Sequence, residues 1–120
     1  MREQAPRLKV SSLGDATIVE FVDRKILDEV GISQIGDQIT ALVAQAGQAK
    51  FIMDFTGVAH MSSSALGMLI TIQKRVRERS GQLKLCGIHP AIMEVFTITR
   101  LNEVFDIHPT RQDALASLNG

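Results

Sequence analysis

Residues 50 to 70 read KFIMDFTGVAHMSSSALGMLI, a strand, a loop and a helix start in one uninterrupted run. KFIMDF (50–55) is short, apolar and bounded by turn residues, the pattern of a strand buried on both faces. Thr56-Gly57-Val58-Ala59-His60 reads as a loop. From the serines onward the period changes. Ala65, Leu66, Leu69, Ile70, Ile72 and Val76 fall on one broad arc, which predicts a helix through Arg79. Gln73 intrudes on that arc, and Ser80-Gly81 supplies the stop.

Upstream, Leu8–Ser12 and Ala16–Val22 are short β-rich runs joined by Leu13-Gly14-Asp15, a hairpin signal. DRKILDEVG reads as a mixed loop. Ile32, Ile35, Ile39, Leu42 and Val43 then recur at helical spacing, with Asp28 or Ser33 as cap and Ala46-Gly47 as end. Downstream, Leu83–Ile88 is another apolar strand. His89-Pro90 opens a third helix, with Ile92, Met93, Val95 and Phe96 as its apolar face. Leu101–Phe105 finishes that helix or leads into a short strand near Phe105–Ile107. Pro109-Thr110 starts a last helix that buries Ala114, Leu115 and Leu118. Strands alternating with helices after a hairpin predict an α/β domain: a mixed sheet with a parallel portion and about four helices packed on it. Its 120 residues suit a single domain spanning 1–120, with 1–7 and 119–120 frayed.

Composition excludes several function classes. Thirteen basic side chains balance thirteen acidic ones, and all aromatic residues are Phe, at 4% of the chain. A polyanion binder would show a basic excess and stacking rings, so direct nucleic-acid binding is not expected. The cluster Lys74-Arg75-Val76-Arg77-Glu78-Arg79 is read as a solvated helix end. Cys86, the one cysteine, suits a buried strand thiol in a reducing compartment. The opening MREQAPRLK lacks an apolar signal core, and no stretch approaches membrane-spanning length. The expectation is a soluble cytoplasmic protein without a membrane segment.

Three adjacent hydroxyls at a helix start fit a cap, a nucleophile, an anion site or a modification site. A nucleophilic serine needs a base and a group that orients it. His60, His89 and His108 are available, but Gly-x-Ser-x-Gly is absent, and histidines before Pro fit loop ends at the surface. No glycine precedes a lysine, which excludes the phosphate loop of nucleotide hydrolases. Scattered histidines and one cysteine show no metal spacing, and no cofactor is expected. One serine, Ser62 or Ser63, suffices as N-cap. A phosphoryl acceptor is the sharper alternative, since it adds about −1.5 to −2 charges at one spot.

MDFTGVAHMSSSALGMLI resembles the signature of STAS domains, specifically the bacterial anti-sigma factor antagonists. Asp54-Phe55-Thr56 matches its Asp-x-Ser/Thr, Met61 its apolar position and Leu66-Gly67 its Leu-Gly. Ser63 falls on the phosphorylated serine of the family and Ser64 on the next hydroxyl. Ser62 stands where the family has Asp, and Ala65 where it has Gly. The resemblance implies partner switching. On that resemblance the protein would bind an anti-sigma factor serine kinase, be phosphorylated at Ser63 (alternatives Ser62 and Ser64) and have no catalysis of its own. Asp54 and Thr56 would support the loop, and Met61, Ser62, Ser64, Ala65, Gly67 and Met68 would meet the partner, although both methionines also fit core packing. Any homo-oligomer would be weak. The alternative is a non-phosphorylated scaffold or ligand-binding module, favoured by Ser62 in place of Asp.

Overall fold

The computed structural model describes residues 8–45 and 50–119. The expected fraying of 1–7 and the Ala46-Gly47 helix end lie outside these residues, as does Gly120. In chain order the elements begin β1 (Leu8–Leu13), β2 (Ala16–Phe21), β3 (Lys25–Ile26), α1 (Glu29–Gln45) and β4 (Lys50–Asp54). They continue β5 (His60–Met61), α2 (Ser63–Glu78), β6 (Gln82–Cys86), α3 (Pro90–Ile98), β7 (Asp106–His108) and α4 (Arg111–Asn119), with a 3-10 turn at Leu101–Glu103.

The main sheet runs β1-β2-β4-β6-β7. β1 and β2 form the antiparallel hairpin, and the remaining neighbours are parallel, the mixed sheet expected from the alternation. Gly14, with φ of 63°, begins the two-residue turn between Leu13 and Ala16. Side chains alternate across the sheet. Val19, Phe21, Phe51, Met53, Leu83 and Leu85 join the larger core with α1, α2 and α3. Ile18, Ile52 and Cys86 face the other way and are covered by Ala114 and Leu118 of α4.

Four readings of the sequence change. DRKILDEVG contains β3, and His60 belongs not to a loop but to β5; the two pair as a separate parallel ribbon. Strands of two residues leave no periodicity to read. Ile70 lies on the exposed side of α2, 42% accessible. Gln73 is instead buried and donates from Nε2 to the carbonyl of Val104 at 2.9 Å, which satisfies the polar group among apolar neighbours. Val95 is likewise exposed, while Ile92 and Phe96 form the buried face of α3.

The helix ends follow local chemistry. Asp28 caps α1 by accepting from Gly31 N at 2.8 Å. Thr110 caps α4 through Asp113 N at 3.1 Å. At the end of α2, Gly81 N donates to Val76 O and Ser80 N to Arg77 O, a Schellman closure. Ser80, and not the glycine, takes the left-handed position, with φ of 56°.

Candidate functional site

The site begins where the parallel strands β2, β4 and β6 end. Glu20 pairs in register with Asp54, and Asp54 with Cys86. Period-2 alternation points Glu20 and Asp54 to the same face, the one that receives α4. Two adjacent carboxylates would repel each other. Arg111, first residue of α4, lies between them: its guanidinium donates to Asp54 Oδ2 from Nε (3.1 Å) and Nη2 (2.8 Å), and Nη2 lies 3.0 Å from Glu20 Oε2.

The other oxygen of Asp54 builds the loop. Oδ1 accepts from the backbone N of Thr56 at 2.9 Å and from the Thr56 hydroxyl. A carboxylate here folds back on the chain two residues on, at the two residues expected to support the loop. Burial works against ionisation of Asp54, but the Thr56 hydrogen bonds and then Arg111 outweigh it, and the carboxyl titrates below its ordinary range. Hydrogen bonding to Asp54 raises the Arg111 pKa in turn. Burial, followed by the charge of Asp54, pushes the Cys86 thiol up to about 12, so it is an inert core group.

Beyond Thr56 the backbone is tied down in steps. Phe55 N donates to Cys86 O, extending the sheet, and Val58 N to Phe55 O. Ala59 N and His60 N both reach Arg24 O, and Ser62 N reaches Ile26 O at 3.0 Å. The β3–β5 ribbon therefore fixes the entry to α2. Gly87, with φ of 68°, lies against this loop so closely that a Cβ there would be 2.5 Å from Thr56 Oγ1.

The three serines have different surroundings. Ser62 is the N-cap, its Oγ accepting from Ala65 N at 3.2 Å. Ser63 opens α2 with an exposed side chain that makes no hydrogen bond to a described residue. Ser64 Oγ donates to Glu29 Oε2 at 2.7 Å. The N–H groups of Ser63 and Ser64 lack intrahelical partners by position, leaving partial positive charge beside the Ser63 hydroxyl.

The expected contact residues divide. Gly67 is exposed, Met61 and Met68 are half-buried and packed on the core, and Ala65 is fully buried. Ala65 thus fills the core under the loop and offers a partner no surface. Grooves flank the serines on both sides. One of about 460 Å³ runs between α1 and α2, lined in part by Glu29, Asp37, Ser64, Met68 and Arg75. One of about 250 Å³ lies toward α3, with Leu27, Met61, Leu66 and Val95 among its walls.

Of the three histidines, His60 stands in β5, His89 caps α3 by accepting at Nδ1 from Ala91 N, and His108 ends β7 with Nε2 3.1 Å from Asp106 Oδ1. His89 is the exposed loop-end histidine expected before Pro90, whereas His108 is instead half-buried at the end of a strand. Among the described residues, no group of three or more His, Cys, Asp or Glu side chains is placed to hold a metal ion, and no helix is long and apolar enough to cross a membrane. Arg111 and Glu29 are the functional side chains that sequence reasoning missed. A cation in a helix's first turn opposes the macrodipole, and that mismatch is the signal that could have pointed from Arg111 to an anionic partner.

The sequence model of the STAS domain matches residues 9–114. A candidate anti-sigma factor antagonist of Bordetella bronchiseptica, BtrV, is 25% identical over 92 residues, 77% of this chain and 78% of that one. A solved anti-sigma-factor antagonist (STAS) domain protein of Planctomyces limnophilus superposes with a TM-score of 0.86 at 28% identity, covering 94% of this chain and 98% of that one. The fold is also that of the Bacillus cell fate determinant SpoIIAA solved in its phosphorylated form: TM-score 0.69, 16% identity, coverage 92% and 97%.

Proposed function

Because the chain belongs to the STAS domain family, we propose that it is an anti-sigma factor antagonist switched by phosphorylation of Ser63, its partner being an anti-sigma factor serine kinase. The observation that carries this reading is the division of labour among the serines. Ser62 is spent as a cap and Ser64 on Glu29, while the Ser63 hydroxyl is exposed at a helix start and has no partner among the described residues. The partner would supply ATP. A bond forms from Ser63 Oγ to the γ-phosphorus as the bond to ADP breaks, and the hydroxyl proton leaves to a base of the kinase. This chain contributes the nucleophilic oxygen and a rigid loop that presents it, and no catalytic group of its own.

Unmodified, the serine loop, the exposed side of α2 and the half-buried Met61 and Met68 would meet the kinase, Gly67 allowing close approach. Phosphate at Ser63 would bring charge into that contact, where desolvation opposes binding and the antagonist is released. Such work needs neither nucleic acid nor a membrane, and the cytoplasm is the fitting compartment. The name of BtrV and the phosphorylated form of SpoIIAA support the reading.

The second reading, a non-phosphorylated STAS scaffold, is favoured by Ser62, which leaves no carboxylate next to the acceptor. The test is incubation of the folded protein with ATP and a serine kinase encoded near its gene, followed by phosphate mapping. Modification at Ser63, absent in Ser63→Ala, is the expected result. An unmodified loop under conditions that label a known antagonist would favour the scaffold.

A further inference from the structure

The difference between Ser63 and Ser64 originates outside their own helix. Glu29 is the first residue of α1, and the start of that helix is fixed by the Asp28 carboxylate on Gly31 N and by Ile32 N on Asp28 O. α1 in turn packs tightly on α2: a Cβ on Gly36 would lie 3.3 Å from Met68 Cγ. The Glu29 carboxylate is thus carried on a backbone held at both the cap and the helix contact, and it reaches Ser64 Oγ at 2.7 Å.

We propose that Glu29 is the residue that confines phosphorylation to Ser63, a role resting on the reading of the serine loop as a phosphoacceptor. It works in two ways. The hydrogen bond turns the Ser64 hydroxyl toward α1, away from the direction in which the adjacent Ser63 side chain is presented. A phosphate on Ser64 would also set about −1.5 to −2 charges against the carboxylate. Successive residues on a helix are about 100° apart, so a phosphate on the exposed Ser63 starts from a different side of α2 than the Ser64 oxygen that Glu29 holds. A carboxylate beside a hydroxyl can also serve as its base, but here the product anion would be left facing that same carboxylate. Glu29 is a positioning residue: it touches the competing hydroxyl and not the reacting one.

The test installs phosphoserine during translation at position 63 or 64, with and without Glu29→Gln, and compares thermal midpoints of the folded chains. Phosphate at 64 should lower the midpoint by several degrees, and Glu29→Gln should remove most of that drop. Phosphate at 63 should depend on Glu29 far less, its shift changing between the two backgrounds by less than half as much as the shift at 64. Any general effect of Glu29→Gln on α1 cancels in this comparison. Equal drops at 64 in both backgrounds overturn the proposal. With a serine kinase that modifies the loop, Glu29→Gln should raise the Ser64 share of mapped phosphate at least threefold; an unchanged or lower share also overturns it. If no kinase modifies the loop yet the midpoints follow the expected pattern, the phosphoacceptor reading fails and discrimination by Glu29 stands.

Discussion

Gly87 and Gly14 provide a matched pair for testing how rigidly the serine loop is held. Both have left-handed backbones, with φ of 68° and 63°. An alanine at either position bears the left-handed penalty of about 1–2 kcal/mol. Their surroundings differ completely. The added Cβ at Gly14 would meet nothing within 4 Å, whereas at Gly87 it would lie 2.5 Å from Thr56 Oγ1, 2.9 Å from Asp54 Oδ1 and 3.1 Å from Thr56 N. Two of those contacts are with the partners in one carboxylate hydrogen bond, and the third is a backbone atom with little room to yield. Relief requires opening the Asp54–Thr56 turn, losing charge-assisted bonds of about 1.5–3 kcal/mol. Gly87→Ala should therefore cost roughly 3–5 kcal/mol and Gly14→Ala roughly 1–2. With a urea slope of about 1.5 kcal/mol per M, the midpoints fall by about 2–3 M and about 1 M. Equal midpoint shifts in equilibrium urea melts would refute the tight docking of Gly87 against the loop.

Other expectations concern the same network and its neighbours. Asp54 has a folded pKa below its unfolded value of 3.8, so its contribution to stability is complete above that pH and lost as pH falls through the folded value. Asp54→Asn should cost about 1–3 kcal/mol at pH 7, discounted for the partly exposed Arg111, and its deficit against the parent should shrink below pH 3.8 in acid unfolding curves. Cys86, fully buried and with its thiol pushed up to about 12, should react with a disulfide reagent only as fast as the chain opens. Labelling of folded protein at the rate of a free thiol would contradict that burial. Ser80→Gly should raise stability by about 1 kcal/mol in thermal melts, because Ser80 holds the left-handed position of the α2 closure.

Local patterns were legible in the sequence, and distant pairings were not. The hairpin about Gly14, the buried strand at Phe51–Met53, the cap at Asp28, the start of α4 after Pro109 and the buried face of α4 each depend on residues within one turn or strand. β3 and β5 were not legible, because a two-residue strand exists only through its partner, and Lys25 pairs with His60. Gln73 broke the apolar arc on paper; its acceptor, Val104 O, lies 31 residues away. The same distance problem hid the site's electrostatics. The family resemblance offered Asp54 and Thr56 as loop supports, but Arg111 is 57 residues downstream and Glu29 is 35 residues before Ser64. Alternation in β2 and β4 puts Glu20 and Asp54 on one face only once their register is known.

Ser62 shows how a local departure from the family pattern can leave the architecture unchanged while altering its charge. Asp and Ser cap a helix about equally well, and Ser62 Oγ does so here through Ala65 N. What Ser62 lacks is the negative charge that an Asp would place at the positive end of α2. Glu29 brings a carboxylate to that end from another helix. If that charge already serves the α2 dipole, Ser62→Asp should be nearly neutral in the parent chain, since the dipole gain is offset by repulsion between two carboxylates within a Debye length of about 10 Å. In a Glu29→Gln background the same substitution should recover the usual gain of about 0.3–1 kcal/mol. A double-mutant cycle in low-salt urea melts measures this coupling, which should weaken as salt is added. An identical gain in both backgrounds would mean that Glu29 holds only the Ser64 hydroxyl and leaves the charge at the helix start unaltered.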